Sequence, residues 1–236
     1  MKTLYYIPAL LAAFTLIMIL LVTSVEAVVY WTPGYFEKEY EKHQVLDDVH
    51  MEMDELLAVT EHMMDYLRGE EEELQTTAVV GGVERNFFSG RELAHMVDVK
   101  NLFLGALSLR RISIIIFAAS AALLGARKCM KILFRGILLG TGAFLGIICL
   151  VFAVVSTDFT KYFTLFHRIF FDNNLWILDP DTDLLINIVP EPFFIDTAVR
   201  IGILFGISLT AVLAACVFLV RKQKAQDRRC PAEKVS

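Results

Sequence analysis

Four stretches of the chain stay apolar long enough to change its solvent: Leu4–Val29, Ile112–Ala126, Ile137–Val155 and Ile201–Val220. A helix needs ~20 mostly apolar residues to cross the hydrocarbon core of a bilayer. The second stretch is short and follows Arg110-Arg111 directly. It reaches full length if those arginines snorkel to the interface or if 101–109 continues the helix. The pattern predicts an all-α integral membrane protein, one domain over 1–236, with four spans at about 4–29, 110–126, 136–155 and 200–220.

The two longer connections have patterns of their own. Leu46, Val49, Met53, Leu56, Thr60, Met63 and Leu67 recur at three- and four-residue steps, which predicts an amphipathic helix stopped by Gly69. Val79-Val80-Gly81-Gly82 is a turn or short hairpin signal, and from Ser89 or Gly90 helical periodicity resumes through Leu93, Met96, Val97, Leu102 and Leu104. In 156–199, Phe159, Phe163, Phe166, Phe170 and Phe171 are too apolar for a free loop and too interrupted for a span. That composition predicts a half-inserted helix whose polar backbone is covered by protein or water. Asp179-Pro180-Asp181 marks a turn, and Pro190-Glu191-Pro192 punctuates the approach to the fourth span.

Charge supplies the orientation. Residues 127–135 carry Arg127, Lys128, Lys131 and Arg135 without an acid, and 221–236 carry Arg221, Lys222, Lys224, Arg228, Arg229 and Lys234. Lys and Arg in short loops mark the cytoplasmic side, so both segments belong there, and four spans return the N-terminus with Lys2 to the same side. Residues 30–109 and 156–199 are then extracytoplasmic. The segment Tyr30–Arg111 holds 17 acids against eight bases, so the net charge of -5 conceals a polarised molecule. Val25-Glu26-Ala27 resembles a signal-cleavage site, but the apolar run before it exceeds a ~7–15-residue signal core, which favours a retained anchor. The four cysteines, Cys129, Cys149, Cys216 and Cys230, fall in spans or cytoplasmic segments, so no outer disulfide framework is expected.

Of five histidines, His43, His50 and His62 belong with the amphipathic helix or its lead-in and are most simply structural. His95 and His167 keep different company. Glu92 and Asp98 flank His95 with Lys100 beyond, and His95, Asp98 and Leu102 fall on one side of a helix. His167 is followed by Arg168, Asp172, Asn173, Asn174 and Trp176 inside a phenylalanine-rich segment. Imidazoles titrate near neutrality, so two of them on one face of a bilayer point to acid–base chemistry, with a packing role as the alternative. The chain has no G-x-S-x-G elbow, no H-E-x-x-H and no outer cysteine, so a mechanism without an enzyme nucleophile fits best. No cofactor, metal or nucleic-acid partner is expected.

The block from Phe88-Ser89-Gly90-Arg91-Glu92-Leu93-Ala94-His95 to Met96-Val97-Asp98-Val99-Lys100 is similar to one of a known family. So are Phe166-His167 through Phe170-Phe171, Asn174, Trp176, Asp179-Pro180 to Asp183, and Pro190-Glu191-Pro192-Phe193-Phe194. Together they resemble the lipoprotein intramolecular transacylases of Gram-positive bacteria, four-span membrane proteins, over nearly the whole chain. The resemblance implies an acyltransferase acting on diacylglyceryl-modified lipoproteins amid membrane lipid. It would move the sn-2 acyl chain of the lipidated cysteine to that residue's own α-amine, leaving the N-acyl, S-monoacylglyceryl (lyso) form. It places the protein in the cell membrane with the active site at the outer leaflet. On that reading His95 is the first choice for base, oriented by Asp98 or Glu92, and His167 is the acid or oxyanion partner, the two being interchangeable. Lys100, Asn173, Asn174 and Trp176 are candidate donors to substrate, and an acyl-histidine intermediate stays open. The rival readings are a metal-dependent membrane hydrolase using His95, His167 and Asp98 as ligands, and a non-catalytic lipoprotein-binding protein.

Overall fold

The computed structural model describes residues 5–229, with side chains as far as 222. Lys2 and Leu4 at the start of the first expected span, and Cys230 and Lys234 in the tail, lie outside the described residues. In chain order the helices are α1 (Tyr6–Val29), α2 (Tyr35–Lys42), α3 (Val45–Val49) and α4 (Met53–Arg68). The hairpin strands β1 (Thr77–Val80) and β2 (Val83–Asn86) follow. Then come α5 (Gly90–Ala126), α6 (Met130–Val155), α7 (Phe159–Phe170), α8 (Leu184–Ile188) and α9 (Glu191–Arg229). Four of them, α1, α5, α6 and α9, are long and apolar enough to cross a membrane.

The 37 residues of α5 make a rod of about 55 Å, longer than a ~30 Å hydrocarbon core. Its apolar run follows Arg110-Arg111, so Gly90–Leu109 precedes that run in one unbroken helix, as the periodicity from Ser89 predicted. Pro192 sits in the first turn of α9, where its missing N–H has no intrahelical partner to lose.

The chain divides into two compact units. The first comprises 1–24, 108–154 and 202–236 and holds the apolar runs. Small residues bring α1 and α6 together there: a Cβ on Gly136 would fall 2.6 Å from that of Ala9, and one on Gly140 would fall 2.7 Å from that of Ala13. Close backbone approach through small residues is how helices pack where no hydrophobic effect drives them together.

The second unit comprises 25–107 and 155–201. The amphipathic helix expected over 46–67 is divided here. Gln44 and His50 take left-handed backbone angles, which turn α3 so that Val45 and Val49 are buried and the helix packs against α8. No glycine or proline announces those breaks, and burial of the two valines sustains them against the left-handed penalty. Gly69 does end α4 as its position predicted, at φ 79° with the Glu70 N–H bonded to the Asp65 carbonyl at 2.9 Å. The two strands pair antiparallel, Thr77 with Asn86 and Val80 with Val83. The hairpin is fastened by the Val79 N–H to Glu55 Oε1 (2.9 Å) and the Gly81 N–H to the His50 carbonyl (2.9 Å). Fully buried Tyr40, Leu56, Phe87 and Ile188 form much of the interior, with the Tyr40 hydroxyl 2.7 Å from Thr60 Oγ1.

Candidate active site

Helical spacing delivers the chemistry of the second unit from two directions. On α5, Glu92, His95 and Asp98 follow at three-residue steps. On α7, Phe159, Phe163, Phe166, His167 and Phe170 gather on one side, and His167 is the buried residue of that helix. Asp158 caps α7 by accepting the Lys161 N–H at 3.0 Å.

The two imidazoles meet. Their ring centroids are 6.1 Å apart, and the buried Phe171 ring lies 5.2 Å from His95 and 5.5 Å from His167. The Phe163 and Trp176 rings lie 4.3 and 4.9 Å from the His167 ring, tilted to it by 58° and 32°. His167 Nδ1 is 2.8 Å from the Phe163 carbonyl oxygen. A carbonyl only accepts, so Nδ1 carries the proton and Nε2 keeps its lone pair. His95 is 7% exposed, and its Nδ1 is buried without a hydrogen-bond partner.

Burial sets the charge state of both rings. It pushes His95 down to about 4, with the neighbouring His167 adding to the shift and Asp98 opposing it. Burial also lowers His167, against the upward pull of the Phe163 carbonyl. Near neutral pH both imidazoles are uncharged.

Both open on an apolar cavity of about 590 Å³ lined from α1, α2, α4, α5, α7, α8 and α9. Its other polar side chains are already engaged. Thr197 donates to the Phe193 carbonyl at 2.7 Å and meets the Tyr35 hydroxyl at 2.5 Å, while the Trp176 indole N–H donates to the Asn173 carbonyl at 2.9 Å. The two imidazoles are the polar groups left for a guest.

The other residues singled out by sequence are placed around this pair. Asp98 accepts the Asn173 side-chain N–H at 2.8 Å, and Asn173 Oδ1 accepts the Leu175 N–H at 3.0 Å, so both fix the segment carrying Trp176. Asn174 is exposed, and its carbonyl accepts Arg91 Nη1 at 3.5 Å. Glu92 is fully buried and accepts the Ser89 and Leu185 backbone N–H groups, each at 2.5 Å, so its carboxylate is spent on the backbone. Burial raises its pKa, and those N–H groups restrain the rise. Lys100 donates to the Glu71 carbonyl at 2.8 Å and lies over the Tyr66 ring at 3.8 Å, which draws it toward α4.

Some contacts were not legible in the spacing. The Phe163 carbonyl fixes a tautomer, and Arg91 donates to the Ile177 carbonyl at 3.1 Å. Ser89 Oγ donates to Asp183 Oδ1 at 2.8 Å. Asp183 stood in the quoted pattern, which was the one signal available for that pair. Elsewhere Glu39, His43 and Asp196 bring their ligand atoms within 4.8 Å of one another, a spacing that suits a metal ion. Their charge is already met, since Lys42 pairs with Asp196, and Arg200 with Glu39 at 2.5 Å.

The family model for lipoprotein intramolecular transacylase Lit matches residues 10–194. The chain belongs to the lipoprotein intramolecular transacylase family. As a member it is an acyltransferase, and its four apolar helices make it a multi-pass membrane protein. The in meso structure of the membrane integral Lit from Bacillus cereus is similar at TM-score 0.79 and 22% identity, covering 95% of this chain and all of that one. Two forms of that Bacillus cereus protein with one histidine replaced, by arginine or by alanine, match at TM-score 0.75, with 22% and 21% identity. Each covers 95% of this chain, and the matches span 96% and 97% of theirs. No curated protein matches the chain by sequence.

Proposed function

We propose that this transacylase moves the sn-2 acyl chain of a diacylglyceryl-cysteine lipoprotein onto that cysteine's own α-amine, using His95 and His167 as an uncharged pair. The observation that carries this reading is the pair itself: two neutral imidazoles whose free nitrogens are the unengaged polar groups of an apolar cavity. Acyl chains fill such a cavity, and the reacting head group is then left against the imidazoles. The lining residues Val25, Val29 and Ile201 lie at the ends of the first and fourth apolar runs in sequence, which suits a guest drawn from lipid. Lys- and Arg-rich segments at 127–135 and 221–222 support cytoplasmic termini and a site at the outer leaflet.

The free amine attacks the ester carbonyl carbon. A C–N bond forms, and the carbonyl electron pair moves onto oxygen. An N–H of neutral His95 donates to that oxyanion, the same use of an uncharged imidazole as electrophile seen where burial depresses a histidine pKa. His167 Nε2, held as the acceptor by the Phe163 contact, takes the proton released from the attacking nitrogen. When the C–O bond breaks, the same Nε2–H returns that proton to the departing glyceryl oxygen. Donor and acceptor belong to one molecule, so holding its head group in an attacking geometry supplies a large part of the rate. With His167 Nδ1 engaged by the Phe163 carbonyl, we assign the base role to His167 and the donor role to His95, one of the two orders the sequence left open.

Mass spectrometry of the N-terminal lipopeptide of a lipoprotein co-expressed with this chain, in cells lacking other N-acylation, tests the proposal. An N-acyl, S-monoacylglyceryl peptide is the expected product. Unchanged diacylglyceryl peptide would refute acyl transfer, and loss of one chain without N-acylation would make the protein a lipase.

A further inference from the structure

We infer that Glu92 is a positioning residue, whose buried carboxylate locks the 172–185 segment to the first turn of α5 and so keeps His167, through Trp176, in register with His95. The activity part of this inference rests on the reading proposed above.

Four side chains of α5 and its lead-in reach that segment. Asp98 holds Asn173, and Arg91 holds the Ile177 carbonyl; both contacts are exposed and exchange readily with water. Ser89 Oγ meets Asp183, and Asp183 Oδ2 accepts the Asp179 N–H at 2.9 Å. Glu92 alone among these four is at 0% exposure. One of its oxygens takes the N–H that opens its own helix, and the other takes the N–H of Leu185 in α8, 93 residues away in sequence. A carboxylate offers two acceptor oxygens with a fixed separation, so it sets the spacing between the two backbones as well as their charge balance. His95 stands one turn beyond Glu92 on the same face, and Leu185 and Ile186 line the cavity. Removing the carboxylate leaves the buried Leu185 N–H and the half-buried Ser89 N–H unpaired, and the Leu185 group must move to find water.

Trp176 gives a direct readout, because a protonated imidazole quenches an indole packed beside it, and the two rings are 4.9 Å apart. Trp31 is the other tryptophan of the chain, so a Trp31→Phe background isolates Trp176. Emission followed from alkaline to acid pH then measures the His167–Trp176 contact in folded protein. Glu92→Ala is expected to lose most of the acid quench and to lower turnover roughly 100-fold, the scale of an ångström of misplacement, with KM within about threefold. Glu92→Gln keeps one carbonyl acceptor and recovers part of both, which also decides the matter if the alanine variant does not fold. A folded variant with wild-type quench, whatever its turnover, overturns the inference. If the wild type forms no N-acyl product, the acyl-transfer reading fails while the quench still decides the brace.

Discussion

Two histidine clusters in the same unit have opposite electrostatics. His43 lies 2.8 Å from Asp196 and 3.5 Å from Glu39, and Lys42 and Arg200 complete a set in which every charge is matched. Among the described residues, no carboxylate hydrogen-bonds to His95 or His167, which face an apolar cavity and are held neutral by burial. The first arrangement ties α2 to the start of α9 and spends its polar atoms on doing so, except Glu39 Oε2, which is buried without a hydrogen-bond partner 3.5 Å from His43 Nε2. The second leaves imidazole nitrogens unspent at a cost in desolvation, which a protein sustains where a guest will meet them. Pairing, more than residue type, separates this charge-matched cluster from the one proposed to act on substrate.

That contrast can be broken by substitution. The largest effect is expected for His167→Ala, which removes the proton acceptor and should lower the rate of N-acylation by ~10³-fold with the protein still folded. His95→Ala should cost ~10²-fold by removing a donor to the oxyanion, and His95→Asn, which restores an N–H, should recover part of it. Both are read by timed lipopeptide analysis. Equal losses from His43→Ala would erase the distinction.

Acid titration tests the burial of His95 through stability. The folded-state pKa of His95 is lowered, so the unfolded chain binds a proton first as pH falls. Stability is unaffected above about 6.5, declines as pH falls through the window from 6.5 to about 4, and loses up to about 3 kcal/mol from this group. Thermal unfolding in detergent at pH 7.5 and pH 5 should therefore show a smaller acid penalty in His95→Phe than in wild type. An identical penalty would remove His95 from the set of buried neutral groups. The smallest effect is expected for His43→Gln, which keeps a side-chain N–H for Asp196: turnover within about threefold and about 1 kcal/mol of stability.

Much of this was legible along the chain. Four apolar runs and basic connections announced the spans, and quoted blocks around His95 and His167 announced the family. The periodicity from Ser89 into α5 held across Arg110-Arg111, because a helix satisfies its own backbone and needs no distant partner. What was not legible depends on partners far apart in sequence. Spacing placed Asp98 and Glu92 beside His95 on one helix, but Asp98 turns to Asn173 and Glu92 to Leu185, choices made by packing across the unit. Lys100 was similarly drawn to Tyr66. The tautomer of His167 depends on a carbonyl one turn earlier, a contact that requires the α7 rotamer and leaves no trace in composition.

The most direct test sets the two clusters side by side on one defined diacylglyceryl lipopeptide, comparing initial rates of N-acylation by wild type, His167→Ala and His43→Ala, each verified as folded. Catalysis by the His95–His167 pair predicts near-complete loss in the first variant and near-wild-type turnover in the second. Comparable rates from both variants would contradict it.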